Sequence, residues 1–397
     1  MQDSVCLAGV GMTPFFKPSA GEKYEELIPR AALNALYDSG LAYKQVDQVI
    51  ASYVLGDSCS GQKGIYRLGR TGVPVVNVNN GCASGSTAIY LARQAILAGH
   101  AQCVLVVGFE QMATTRLALG YSDRTSPVGD WDDAVRAWGG DGHDTTTVGW
   151  FAAAAREYQE KYQVADLTFA QIAAKARTHG SRNPCAVFRE VVTPEQVLQS
   201  GVICPPLTRF ECSAPTSGAA AVVLCSLDFA RSAGIRHDVS IVAQALVTDN
   251  DATFSGSMID LMGAPMTRAA SEKVYELASI GPEDVDVVEL HDCFASNELI
   301  AYEALGLARD GEGSKLSTDG DNTYGGKWVV NPSGGLLSKG HPIGATGVAQ
   351  CVELVRQLRG EAEERQVGGA SIGLQHNLGI GGACVVGLFQ RSARPAR

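Results

Sequence analysis

Alternating and helical patterns occur twice along this chain, in the same order. Ser4–Gly11 alternates as a strand does, and Val239–Val247 opens a second stretch in the same way. Val46-Asp47-Gln48-Val49-Ile50 leads into a strand, as Val285-Asp286-Val287-Val288-Glu289 does later. An apolar strand over Val73–Val78 then precedes Gly81-Cys82-Ala83-Ser84-Gly85. That segment runs into a helical pattern over Thr87–Leu97 that stops at Gly99. Its counterpart is Gly340-His341-Pro342-Ile343-Gly344, followed by Val348–Leu358 and a stop at Gly360. Val348, Cys351, Val352, Val355 and Leu358 share one face at helical period, with Pro342 and Gly360 as terminal punctuation. Each half closes on a small-residue run and a strand, Gly218–Leu224 and Gly381–Phe389.

The two glycine-to-glycine helix spans differ in length, so the repeat is degenerate. It predicts a duplicated βα unit in an α/β fold with sheets covered on both faces. From about Met112 to Pro215 the rhythm breaks. Gly139-Gly140-Asp141-Gly142, Pro205-Pro206 and a helical run over Trp150–Tyr162 mark an insertion, a lid or ligand-binding subdomain. The expected division is 1–111 with 216–237 as one half, 112–215 as the insertion, and 238–397 as the other half.

Composition narrows the function. A chain of 397 residues with 45% hydrophobic content is globular and long enough for more than one core. Its 32 basic and 42 acidic side chains leave a net charge of -10, which argues against a nucleic-acid partner. No stretch approaches the roughly 20 apolar residues of a membrane span. Met1–Val10 carries no signal-peptide pattern, and Ala396-Arg397 does not match a Ser-Lys-Leu address. The eleven cysteines include no Cys-x-x-Cys pair, and most sit in apolar runs, which fits a reducing compartment. The expected location is cytoplasmic for a bacterial protein, or the peroxisomal or mitochondrial matrix for a eukaryotic one.

Four side chains stand out chemically. Cys82 lies between a strand and a helix start, where the helix dipole and free N–H groups favour a thiolate. A small buried residue packed at that turn would give the same pattern. His341 occupies the equivalent turn of the second half, so a thiol and an imidazole would meet as an activated nucleophile. A structural histidine capping a turn is the alternative. His291 and Cys293 end the strand Val285–Leu290, and alternation puts both on one face, toward one pocket. An end-of-strand pair bonded to backbone is the plainer reading. His376-Asn377-Leu378-Gly379-Ile380-Gly381-Gly382 reads as flexible backbone able to present N–H groups to an oxyanion. As zinc ligands the four are too scattered along the chain, so no metal is expected.

Taken together, these motifs resemble the thiolases, specifically the sterol-carrier-protein type. The similarity rests on Asn77–Ser86, on Glu289-Leu290-His291-Asp292-Cys293-Phe294, on Asp321–Trp328, on Asn331–Gly347 with its Gly-His-Pro-Ile-Gly-Ala-Thr-Gly, and on Gln375–Gly382. The resemblance implies a five-layered αβαβα arrangement of two halves with an inserted loop domain. It implies that Cys82 accepts an acyl group and that His341 activates it. His291 and His341, with a water, would hold the substrate thioester oxygen, and the N–H groups of Cys82 and Gly379 would form a second oxyanion hole.

The usual thiolase Cys-x-Gly is replaced here by Asn377-Leu378-Gly379. By the resemblance, Cys293 therefore inherits the acid/base thiol, while Cys384 packs in the core. Coenzyme A is the implied co-substrate, with no permanent cofactor. A 3-ketoacyl-CoA is the implied substrate, and a homodimer or homotetramer, with room for a small accessory subunit, the implied assembly. Rival readings are a decarboxylating condensing enzyme, an aldolase-type lyase and a non-catalytic lipid-binding protein.

Overall fold

Strand pairing makes the repeat explicit. The computed structural model describes residues 5–113, 123–139 and 146–392; Ser4 and Gly140-Asp141-Gly142 lie outside them. The first strands are β1 (Val5–Met12), β2 (Gln48–Ser52), β3 (Val75–Val78) and β4 (Cys103–Glu110). A short antiparallel pair, β5 (Val202–Cys204) and β6 (Leu207–Thr208), belongs to the intervening segment. Then come β7 (Gly218–Ser226), β8 (Val239–Val247), β9 (Val287–Glu289), β10 (Val329–Val330), β11 (Ile372–Gly379) and β12 (Ala383–Arg391).

Hydrogen bonding orders ten of these strands as β3-β2-β4-β7-β1-β8-β12-β11-β9-β10. Outward from the centre, each half presents its strands in the same sequence. The outer pairs are parallel (β2 with β3 and β4; β9 with β10 and β11), and the inner pairs are antiparallel. Among the described residues, the strands of the two halves pair through Val5↔Ile241 and Cys6↔Ser240.

The longer helices are α1 (Tyr24–Ser39), α2 (Ser84–Leu97), α3 (Gly129–Trp138), α4 (Thr147–Tyr162), α5 (Asp166–Ser181), α6 (Ala264–Ala278), α7 (Ala295–Ala304) and α8 (Thr346–Arg359). Side-chain alternation sorts them into layers. On β4, Cys103, Leu105 and Val107 pack with α1, while Val104 and Val106 face α2 and α8. On β8, Val239 and Ile241 face that same central pair, and Ala243 and Ala245 face α6. The result is five layers, with α2 and α8 sandwiched between the sheets of the two halves. This is the predicted α/β arrangement.

The central helices begin in close contact. A Cβ on Gly347 would lie 2.3 Å from the Ser86 nitrogen, and one on Gly85 would lie 2.8 Å from the Val348 nitrogen. Only glycine permits backbones this near.

Several boundaries differ from the sequence reading. α2 starts at Ser84 and α8 at Thr346, because their first turns are small residues that carry no apolar period. β3 begins after Pro74, which lacks an N–H to give a ladder. β12 begins at Ala383 and not at Gly381. The predicted flexible run His376–Gly382 is strand as far as Gly379, paired with β12, and only Ile380–Gly382 turns. Gly381 and Gly382 supply that turn with φ of 98° and 88°.

Within the predicted insertion, α4 and α5 lie against α7. Phe151 stacks on Phe294 with ring centroids 4.7 Å apart. Among the described residues, no helix is long and apolar enough to cross a membrane.

Candidate active site

Four chain segments meet where the halves touch. In the first, Gly81 adopts φ 54°, turning the chain so that Cys82 sits just before α2. Ser84 Oγ accepts the Asn80 N–H at 2.8 Å and donates to Gly81 O at 2.6 Å, fixing the turn. A Cβ on Gly81 would lie 2.8 Å from Ile380 O.

The second segment is Leu290–Phe294. The β9 ladder stops at Glu289, where Asn331 Oδ1 takes the Leu290 N–H at 2.8 Å. His291 and Cys293 therefore lie beyond the strand, and alternation is not what aims them. The Asn297 amide donates to His291 O.

The third segment, Gly340–Thr346, and the fourth, the end of β11, complete the ring. Cys212–Ser217 threads between the second and third. Ser213 N–H donates to Cys293 O at 2.9 Å, and His341 N–H donates to Thr216 Oγ1 at 2.6 Å.

One side-chain atom each from Cys82, His291 and His341 lie within 4.8 Å of one another. The two imidazole centroids are 5.1 Å apart and nearly perpendicular, at 83°. Their outer nitrogens have different partners, which assigns opposite tautomers. Thr346 Oγ1 gives its proton to Pro342 O at 3.1 Å, so it accepts from His341 Nδ1–H at 2.7 Å. His341 Nε2 is then an open lone pair, the form a base needs. Asn377 Nδ2 donates to His291 Nδ1 at 3.1 Å, so His291 Nε2 carries the proton and is a donor. Ser86 Oγ donates to Asn377 Oδ1 at 2.9 Å, holding that amide in place.

Burial dominates the electrostatics. It lowers the His341 imidazole to about 3, helped by the neighbouring Lys339 charge. His291 is held well below its usual value by burial and then by the two histidines nearby. Both rings are neutral at physiological pH. The Cys82 thiol is pushed up to about 12 by burial and by the Glu110 carboxylate. The thiolate expected from a helix start is thus not the resting form, because desolvation outweighs the dipole. Backbone N–H groups of Cys82 and Ile380 oppose the rise. Burial and Cys82 itself raise the Cys293 thiol well above the ordinary range, so it too rests protonated.

Gly379 lies against the nucleophile turn, where a Cβ would sit 2.5 Å from Asn80 O. The neighbouring N–H that favours the ionised Cys82 sulfur is that of Ile380, one residue further along. Leu378, Gly379 and Ile380 also wall a narrow apolar cleft with Trp131, Met262 and Met266. Cys384 is buried, 3.7 Å from Thr267 Oγ1, as a core residue would be.

Comparison with known proteins accords with this geometry. The family descriptions "Thiolase, N-terminal domain" and "Thiolase C-terminal domain-like" match residues 5–202 and 248–386. "Sterol carrier protein 2" of Gallus gallus is 48% identical over 98% of this chain and 72% of its own length. The chain belongs to the thiolase family.

Further thiolase relatives widen the picture. "Non-specific lipid-transfer protein-like 2" of Caenorhabditis elegans is 42% identical, covering 97% of this chain and 96% of itself. "Acetyl-CoA acetyltransferase" of Methanothermobacter thermautotrophicus is 33% identical over 98% and 99%. Among solved structures, the "Ltp2-ChsH2(DUF35) aldolase" superposes with a TM-score of 0.82 at 24% identity, over 98% of each chain. Human mitochondrial 3-ketoacyl-CoA thiolase in complex with CoA gives 0.72 at 20% identity, over 99% of each. These two likenesses concern the thiolase fold alone.

Five supporting residues of this thiolase chain escaped the sequence reading: Ser86, Glu110, Thr216, Thr346 and Asn377. Glu110 is buried at the end of β4. Its carboxylate accepts the N–H groups of Val54, Leu55 and Gly344, each at 3.1 Å. Burial raises it to about 7. Ser86, Thr346 and Asn377 stand inside the motifs that carry the resemblance, but only their partners reveal what they do.

Proposed function

We propose that this chain is a CoA-dependent thiolase acting on 3-ketoacyl-CoA through an acyl-enzyme at Cys82. The observation that carries the reading is the convergence of Cys82, His291 and His341 within 4.8 Å, with one imidazole open as a base and the other as a donor. His341 Nε2 takes the Cys82 proton as the sulfur attacks the ketone carbon. The N–H groups of Cys82 and Gly379 meet the oxyanion that forms. The Cα–Cβ bond breaks, and the departing acetyl-CoA enolate is held by His291 Nε2–H. Cys293 gives that enolate a proton.

The thiol of CoA then attacks the Cys82 thioester and passes its proton to Cys293. His341 returns its proton to the departing Cys82 sulfur. Every proton is restored, and the reverse sequence is a Claisen condensation. A neutral resting pair suits this scheme, since the proton moves only as the new bond forms.

The acyl chain would enter beside Gly379, where Trp131 and the methionines wall a narrow apolar cleft whose flexible side chains must move apart to admit it. The expected division of the chain makes 112–215 the insertion that contributes Trp131 to that wall. A homodimer or homotetramer, and an accessory subunit of the kind named with the Ltp2 aldolase, belong to the same proposal.

The test follows thiolysis of acetoacetyl-CoA and of a longer 3-ketoacyl-CoA by wild type, Cys82→Ala and Cys293→Ala. Both variants should lose turnover by at least about 10³-fold, while only Cys293→Ala still forms an acyl-enzyme visible by mass. Absence of wild-type turnover on either substrate, or turnover surviving in Cys82→Ala, would sink the reading.

A further inference from the structure

We propose that Cys82, His291 and His341 also form a capture site for a thiophilic divalent cation, zinc above all, and that its binding shuts the site off. Sequence spacing had argued against such a set, but the fold brings its members together. Their ligand-capable atoms lie within 4.8 Å of one another. Around a tetrahedral zinc with bonds of about 2.0–2.3 Å, ligand atoms stand roughly 3.3–3.8 Å apart, so the three need close by only about 1 Å. The two imidazole centroids are 5.1 Å apart, a spacing compatible with both rings binding one ion.

The outer partners suit a metal as well. His341 already donates Nδ1–H to Thr346 Oγ1 at 2.7 Å, which leaves Nε2 as the ligand atom. His291 needs one change. Turning the Asn377 amide over would present Oδ1 to His291 Nδ1–H and Nδ2 to the lone pair of Ser86 Oγ, 2.9 Å from Asn377 Oδ1 now. His291 Nε2 is then free to bind.

One thiolate and two imidazoles select zinc over magnesium or calcium, which prefer oxygen ligands. Cys293 falls outside the group of three. The fourth position is therefore left to water or to an incoming thiol. On binding, the Cys82 S–H bond breaks, its proton passes to solvent and an S–Zn bond forms, with no change of oxidation state. The captured sulfur can no longer attack, and both catalytic ring nitrogens are taken.

The proposal rests on geometry and not on the reaction, so its test needs no turnover. Metal-free full-length chain is titrated with Zn²⁺ against a chromophoric chelator, and separately with Co²⁺ by absorption. Wild type should bind one tight equivalent and develop a thiolate-to-cobalt band. Cys82→Ser should lose the band, and Cys82→Ser and His341→Asn should each weaken zinc at least about tenfold. Thr346→Val, which frees the His341 ring, should cost roughly tenfold. Cys293→Ser should leave binding unchanged. Circular dichroism confirms that each variant is folded. Failure of wild type to bind at micromolar free zinc, or unaltered binding in folded Cys82→Ser and His341→Asn, overturns the proposal.

Discussion

Glu110 shows how a single buried carboxylate can act at a site it does not line. It ties the chain after β2 and the Gly344 turn to the end of β4, and its charge disfavours a Cys82 thiolate. Glutamine keeps the shape but offers one acceptor oxygen in place of two. Glu110→Gln should therefore lower kcat/KM on the order of 10²-fold through misplacement of the His341 turn. It should also speed alkylation of Cys82 by iodoacetamide in the free protein, because a repelling charge is gone. A purely structural role would slow both, so measuring the two rates together separates the cases. At this scale the sequence pointed to Cys82, His291, Cys293 and His341 as candidates, because cysteine and histidine at turns are chemically conspicuous, and the fold gathers Cys82, His291 and His341 within 4.8 Å. It did not expose Glu110 or Thr216, whose parts come from partners far away along the chain. It also misjudged the Cys82 thiol, since burial cannot be read from a local helix start.

The elements are positioned by close backbone contact. α2 and α8 start side by side because Gly85 and Gly347 carry no Cβ, and that contact sets Asn377 beneath His291. In Gly347→Ala the new methyl would stand 2.4 Å from Asn377 Oδ1. The expected cost is about 1–3 kcal/mol of stability by urea unfolding, with a larger fractional loss of kcat as His291 loses its anchor. Gly368→Ala, which meets nothing within 4 Å, is the neutral control. Equal behaviour of the two variants would refute the argument. Element types were legible from period and punctuation. Their ends were not, because the small residues that open α2 and α8 signal contact rather than periodicity.

Across the whole molecule, Arg359 at the end of α8 reaches into the other half. Fully buried, it donates to Asp38 at 2.8 Å and to the carbonyls of Leu7 and Ala8 at 2.8 and 3.1 Å. Arg359→Ala should cost about 2 kcal/mol in denaturant unfolding, since it takes that donor from the Leu7 and Ala8 carbonyls while Asp38 keeps the Val10 N–H and Arg236. His179 adds a pH dependence. Burial, then Lys175, lowers it from 6.5 to about 3 while it bonds Asn331 O and Thr323 Oγ1. Below 6.5 the unfolded chain binds a proton there that the native state refuses, so this stability is present above 6.5 and lost as pH falls toward 3. Between pH 5.5 and 4, wild type should lose about 1.4 kcal/mol per pH unit more than His179→Gln. Parallel curves would refute the linkage. The sequence by itself determined the duplication and the α/β class and singled out the candidate side chains, because these rest on local period and on chemistry each residue carries alone. Only the tertiary structure decided which partner each imidazole has, how far burial raises the Cys82 thiol, and that three scattered side chains share one point. Those properties depend on burial and on the exact partners that folding brings to each side chain, which no local pattern encodes.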